Sequence, residues 1–477
     1  MRRNYQWRKS IAGIMASAMV ATTVVSGAFV TLPETAFAAT TSKRVTDREK
    51  ENMEISKKAA TQGMVLLKNE NSVLPIASGK KIALFGSGSI VTIIGGTGSG
   101  AVNQRAEETV SVYDGLKEVY DITTADYLEE YLENFNAKKE GYYKNGSGFW
   151  APASAVERSI EDDGAVDEAA KEADTAFLVI KRNSGEGNDR AKTDDYELSD
   201  IEKENIKYLK KNFEHVVIIL NVGGVINTAD FAEDKDIESV LLMSQAGMKS
   251  GEALADIMTG KVTPSGKLTD TWAKDYDDYP SSADFSNNDG NIDSELYSDG
   301  IYVGYRYFDT FGVEPEYEFG FGKSYTDFKM ETTAVEANEE NVTVKVKVTN
   351  TGSSYSGKEV VQVYFSAPSG KLDVPYQELA AYGKTDELKS GECQELTLSF
   401  KTSDMSSYSE KDAAYEMAKG DYIIRVGNSS RNTHVAAKIN LDDNVITEQL
   451  SNQLMGDNDY NDVDDELSSK AKKAESF

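Results

Sequence analysis

The hydrophobic pattern of this sequence changes period once, near residue 330, and that change dictates two architectures in one chain. Before it, apolar residues come in short unbroken runs, such as Ala176-Phe-Leu-Val-Ile180 and the stretches 216–220 and 239–243. Runs of this length, unbroken by polar residues, mark parallel strands covered on both faces. Stretches of helical length separate them. Ser199, with Glu202 three residues on, forms a capping box for a helix reaching residue 213. Residues 47–60 and 251–258 read as helices, and 64–67 and 81–85 as strands. This alternation predicts an α/β layered sandwich with a mostly parallel sheet. After the change, Val342, Val344, Val346 and Val348 alternate with Thr343, Lys345, Lys347 and Thr349. Such a strand has one face in a core and one in water. Further short strands at 360–365, 395–400 and 422–426 predict an all-β antiparallel sandwich.

The two ends read differently. Arg2, Arg3, Arg8 and Lys9 precede an apolar run over 11–32, and Ala36-Phe37-Ala38 supplies a small-x-small cleavage pattern. Residues 1–38 are therefore expected to be a signal peptide, and the protein to be secreted or held in the cell envelope. No later stretch is long and apolar enough to cross a membrane, so no span is expected after cleavage. Residues 443–477 form an acidic tail, expected to be helical in part or disordered.

Charge and rare residues narrow the chemistry. With 80 acidic and 51 basic side chains the net charge is −29, which argues against nucleic acid and anionic membrane surfaces as partners. Cys393 is the single cysteine, so no internal disulfide can form. His215 and His434 are the two histidines, too few for a His-rich metal site. No cofactor or metal is expected, and acid/base chemistry falls to carboxylates. Gly86-Ser-Gly88 and the glycines of 95–100 carry Val91 where a dinucleotide fingerprint needs glycine, and Ala101 where a phosphate loop needs lysine. Both read as tight loops. Asp457, Asp459 and Asn461 open like a calcium loop, but Asp462 and Ser468 replace its glycine and its final glutamate.

The strongest candidate site is the segment Lys181-Arg-Asn-Ser-Gly-Glu-Gly-Asn-Asp-Arg190. It leaves the carboxyl end of the most apolar strand, where open parallel sheets place ligand loops. Glu186 sits between two glycines, which frees the backbone to present its carboxylate. Asn183, Asn188, Asp189 and Arg190 add groups suited to sugar hydroxyls. Composition alone favours an ordinary polar loop with a solvated glutamate.

At this loop the chain resembles glycoside hydrolase family 3, the β-glucosidase and β-xylosidase family. The resemblance extends through Gly63-Met-Val-Leu-Leu-Lys-Asn-Glu70, Leu220-Asn-Val-Gly-Gly-Val225, Pro264-Ser-Gly-Lys-Leu268 and Gly300-Ile-Tyr-Val-Gly-Tyr-Arg-Tyr-Phe-Asp309. Gly357-Lys-Glu-Val-Val-Gln-Val-Tyr364 resembles a strand of the family's fibronectin type III-like module. After the signal peptide (1–38), the resemblance implies the C-terminal α/β sandwich domain (41–322), a fibronectin type III-like domain (323–442) and an acidic tail or linker (443–477). It implies that Glu186 is the general acid/base of a retaining hydrolase of β-linked oligosaccharides or glycosides. Asp189 and Arg190 are then substrate-binding candidates. Trp150, near Tyr142, Tyr143 and Phe149, is a candidate sugar platform, with a buried anchor as the alternative.

One part of the family pattern has no counterpart. The nucleophilic aspartate and most sugar-binding residues of the family lie on a (β/α)₈ barrel, with a Lys-His motif. Neither histidine here follows a lysine, and the Ser-Asp pairs at 199–200, 298–299 and 403–404 fall in segments matched to other domains. The expectation is a permuted member whose barrel is absent, needing a separate or downstream barrel for activity. The alternative is a non-catalytic envelope module that binds glycans or proteins.

Overall fold

The computed structural model describes residues 45–96, 106–144, 155–183, 189–295, 297, 299–370, 372–451 and 453. The chain divides into two units, the second beginning at Ile55. Of the first, the described residues are 45–54, which open helix α1 (Asp47–Gly63).

The unit from Ile55 onward begins with the α/β layers. Its strands are β1 (Val65–Asn69), β2 (Lys81–Phe85), β3 (Asp121–Ile122), β4 (Thr175–Lys181), β5 (His215–Asn221) and β6 (Ser239–Leu242). They form one sheet in the order β1-β6-β5-β4-β2-β3. All neighbours are parallel except β1 and β6, which pair antiparallel through Val65↔Leu242 and Asn69↔Ser239. The expected mostly parallel sheet is therefore present, with one antiparallel edge strand.

The unbroken apolar runs have a direct cause. Ala176, Leu178 and Ile180 of β4 enter one core cluster, and Phe177 and Val179 enter the other, on the opposite face. Residues 216, 218 and 220 of β5 likewise face one layer, and 217 and 219 the other. Water reaches neither face. The helices between the strands are α2 (Ser87–Ile90), α3 (Val112–Lys117), α4 (Ala125–Lys144), α5 (Ala165–Ala169), α6 (Asp200–Asn212) and α7 (Ser250–Met258). Leu198, Ile206 and Leu209 bring α6 onto the first cluster, and Leu116, Ala253 and Leu254 bring α3 and α7 onto the second. The antiparallel pair β7 (Trp272–Ala273) and β8 (Pro315–Tyr317), with helix α8 (Tyr305–Phe311) between them in sequence, closes this part.

The remaining strands are β9 (Phe328–Ala337), β10 (Asn341–Asn350), β11 (Val360–Ser366), β12 (Glu378–Lys384), β13 (Cys393–Lys401), β14 (Ser407–Ser409), β15 (Ala414–Met417), β16 (Gly420–Gly427), β17 (Thr433–Leu441) and β18 (Val445–Gln449). Two antiparallel sheets, β13-β10-β9 and β12-β11-β16-β17, enclose a common core. The four alternating valines of β10 are fully buried there, while Lys347 is exposed. By contrast β11 is buried along its whole length. Its second face meets the α/β part: the Tyr364 ring lies 6.0 Å from Tyr305, and Gln362 Nε2 donates to Gly320 O at 3.2 Å.

One expectation fails. The segment beginning at residue 443 starts not as helix or disorder but as β18, antiparallel to β15 through Met417↔Val445 and Ala414↔Gln449. Val445, Ile446 and Thr447 are β-branched and favour extended backbone, a local signal masked by the acidic composition around them. The calcium-like stretch at 457–468 lies outside the described residues.

Candidate active site

The carboxyl ends of β2, β4 and β5 supply the loops. After β2 the chain turns at Gly86, whose φ is +93° and where a Cβ would lie 2.3 Å from Val179 O. Only glycine fits so close to a neighbouring strand, so the first glycine motif is a tight turn, as expected. At the end of β5, fully buried Asn221 accepts from Ile93 N (2.7 Å) and donates from Nδ2 to Ile93 O and Ser244 O (both 2.8 Å). One amide thus fastens the loop after β2 and the loop after β6 to the same strand end.

The loop after β4 is fastened at both stems. Arg182 makes a two-pronged pair with Glu202, from Nη1 to Oε1 at 2.7 Å and from Nη2 to Oε2 at 2.9 Å. Glu202 is also the third residue of α6, and its Oε2 accepts from the N–H of Ser199 at 2.9 Å in the capping box foreseen from sequence. A cap that reads as a helix start therefore doubles as the anchor of the loop. Arg182 Nε also donates to the carbonyl of Asp195 at 2.6 Å. From the far stem, Arg190 reaches the same residue, donating to Asp195 Oδ1 from Nη2 (2.8 Å) and Nε (3.1 Å). The two guanidiniums thus converge on Asp195, which ties the two stems together.

Of the candidates read from sequence, Asp189 is exposed, and Arg190 is half-buried and committed to Asp195 and to the Val225 carbonyl. Glu186 and Trp150 lie outside the described residues. Sequence reading missed Arg182 and Asp195 as partners, although both are polar residues flanking the motif. It also missed two half-buried charged groups near the root of the loop. Lys181 Nζ donates to Ala155 O at 2.5 Å, and burial pushes its ammonium down to about 8. Nearby, burial raises the Glu157 carboxyl above the usual range, against the stabilising N–H of Ser87 at 2.8 Å.

Beside the Arg190 stem opens a cavity of about 580 Å³. Arg190, Tyr196, Tyr276, Tyr279, Tyr305 and Phe319 line it, with Thr271 and Asp299. Tyr196 lies edge-on to Tyr276 at 5.3 Å, and Tyr305 stacks on Phe319 at 4.7 Å. Nothing in the sequence patterns marked this group, because its members are spread over more than a hundred residues. A second cavity of about 580 Å³ is polar and lies where the α/β and β-sandwich parts meet. In it Lys267 pairs with Glu359 at 2.9 Å, and the Ser429 hydroxyl donates to Glu318 at 2.8 Å. Among the described residues, no group of three His, Cys, Asp or Glu side chains could hold a metal ion, and no helix is long and apolar enough to cross a membrane.

The sequence profile of the glycosyl hydrolase family 3 C-terminal domain matches residues 64–305, about half the chain and the strand–helix alternation from β1 to the start of α8. The chain belongs to glycosyl hydrolase family 3. A fibronectin type III-like domain matches residues 359–430 within the β-sandwich. A family 3 relative, β-glucosidase A of Butyrivibrio fibrisolvens, is 39% identical over 460 residues, covering 87% of this chain and 54% of its own. A β-glucosidase of Ruminococcus albus is 35% identical, over 85% of this chain and 42% of its own. The crystal structure of a β-glucosidase from Paenibacillus barengoltzii superposes with a TM-score of 0.76 at 37% identity, covering 84% of this chain and 44% of that one. The chain thus spans about half the length of the family 3 relatives it matches.

Proposed function

We propose that this chain is the acid/base-bearing part of a retaining, β-glucosidase-type hydrolase. Glu186 protonates the leaving glycosidic oxygen and then activates water against a glycosyl–enzyme intermediate. The nucleophilic aspartate belongs to a separate or downstream (β/α)₈ barrel. A retaining mechanism needs the two carboxyls about 5–5.5 Å apart. That span requires the loop carrying the acid to be held by its own domain while it reaches into another. The observation that carries the reading is the Ser-Gly-Glu-Gly-Asn-Asp-Arg loop, with both stems latched on Asp195. In this reading Arg190 positions the loop, Asp189 and Trp150 are the sugar-binding candidates, and residues 1–38 direct export.

The test is reconstitution with a family 3 barrel domain. The chain alone releases no phenol from an aryl β-glucoside, and addition of the barrel starts turnover. Glu186→Gln in the reconstituted enzyme lowers kcat/KM by about a hundredfold or more. Sustained turnover by the chain without a barrel would show that the nucleophile lies within it.

A further inference from the structure

Helix α6 carries a polar residue where its packing calls for an apolar one. Asn205 is 2% exposed and lies with Ile206 and Leu209 among the residues that α6 buries. Asparagine is a poor helix former, and its amide is costly to bury unless it is hydrogen-bonded. Here the amide reaches outside the helix. Nδ2 donates to Arg158 O at 2.9 Å, and Oδ1 accepts from Ile160 N at 3.1 Å.

The segment it holds has little else to give it shape. Residues 155–159 form no regular secondary structure, so their polar groups depend on partners from elsewhere in the fold. Four elements supply them. Besides Asn205 of α6, the Tyr131 hydroxyl of α4 donates to Val156 O, and Ser87 N of α2 donates to Glu157 Oε2 at 2.8 Å. Lys181, the last residue of β4, donates from Nζ to Ala155 O at 2.5 Å.

That last contact ties the segment to the root of the acid loop. In extended chain the neighbours Lys181 and Arg182 leave on opposite sides. Lys181 goes to Ala155, and Arg182 to its two-pronged pair with Glu202. Glu202 and Asn205 are three residues apart, which puts them on one face of α6. The contacts therefore close a circuit, from β4 through Arg182 and Glu202 to α6, and back through Asn205, residues 160–155 and Lys181. A stem inside such a circuit cannot shift without breaking either the Lys181 bond or an ion pair whose side chains are 10% and 7% exposed.

We propose that Asn205 is a positioning residue for the acid loop, acting through residues 155–160 and Lys181 to fix where the chain leaves β4. It touches neither substrate nor the reacting atoms. Its effect on catalysis rests on the reading of Glu186 as the acid, whereas the mechanical coupling does not.

Amide hydrogen exchange on the whole chain, without a barrel, tests the coupling in both directions. Asn205→Ala speeds exchange of the Arg182 amide, which is bonded to Asn221 O at 3.1 Å, by about tenfold or more. The amides of α6 itself do not follow, because alanine is the better helix former. Lys181→Met in turn speeds exchange of the Ile160 amide, which Asn205 holds. Should Asn205→Ala fail to fold, Lys181→Met at its half-buried position decides. In the enzyme reconstituted with a barrel, Asn205→Ala lowers kcat/KM for phenyl β-glucoside by about tenfold, because that leaving group needs the proton. Dinitrophenyl β-glucoside, whose leaving group departs as a stable anion, changes by less than about twofold. A purely structural role would lower both alike. The proposal is overturned if neither variant changes exchange across the circuit, or if the two substrates lose equally. Wild-type reconstitution without turnover would count against the role of Glu186, and the exchange rates would still decide the role of Asn205.

Discussion

Asp195 carries a load out of proportion to its ordinary appearance in the sequence. Its carboxylate takes two hydrogen bonds from Arg190, and its carbonyl takes one from Arg182. Asp195→Ala removes the charged acceptor and leaves Arg190 with carbonyl partners alone. The pair is about a quarter exposed on each side, so solvent compensates in part. A loss of about 1–2 kcal/mol in unfolding free energy is expected, read by urea denaturation. Faster proteolytic cleavage between residues 183 and 189 should accompany it. An unchanged cleavage rate would mean that Arg182 alone holds the loop. Arg190 stood out in the sequence because a contiguous motif carries it. Its anchor did not, because an aspartate five residues past the motif has no pattern of its own.

Among the elements, the most legible were those whose local chemistry and tertiary environment agree. Helix α6 starts at its capping box, with Ser199 Oγ accepting from Glu202 N at 3.3 Å. Ser199→Ala should cost about 1 kcal/mol of stability, measured by chemical denaturation. It should also loosen Glu202 from one of its two tasks, so that Arg182 contacts weaken with the helix start. Strands β4 and β5 were legible because a run buried on both faces has no other folded solution at that length. The edge strand β18 was not, because three β-branched residues are too short a signal within an acidic stretch. Likewise β11 reads as an ordinary sandwich strand, and only its contact with Gly320 and Tyr305 explains why neither face is wet.

At the scale of the molecule, the two parts are joined by polar contacts that titrate. Lys384 of β12 donates to Gln62 O at 2.9 Å and to Ser265 Oγ at 3.2 Å. Burial, with Lys358 and Lys267 nearby, pushes its ammonium from 10.5 down to about 8. Below pH 8 both folded and unfolded chains hold the proton, and the buried charge weakens folding by a constant amount. Between about pH 8 and 10 the unfolded chain holds more protons than the folded one, so stability rises with pH. Lys181, lowered for the same reason, acts in the same direction. Above about pH 10, unfolded tyrosines ionise while buried ones resist, and the trend reverses. Lys384→Met should therefore flatten the rise in unfolding free energy between pH 8 and 9.5, leaving the share from Lys181. An identical slope in the variant would assign the rise to other groups.

The sequence by itself determined the two layer types, the order in which they occur and the loop that carries Glu186. Each of these depends on neighbours within a few residues: the period of apolar side chains, a cap three positions long, a glutamate between glycines. The tertiary structure alone decided how Arg182 and Arg190 meet on Asp195, and how Tyr196, Thr271, Tyr276, Asp299 and Tyr305 come to enclose one cavity. Those residues are brought together by the return of the chain through β7, α8 and β8, and no spacing along the sequence encodes that closure. Local periodicity is written residue by residue, whereas a cavity exists only once distant segments have packed.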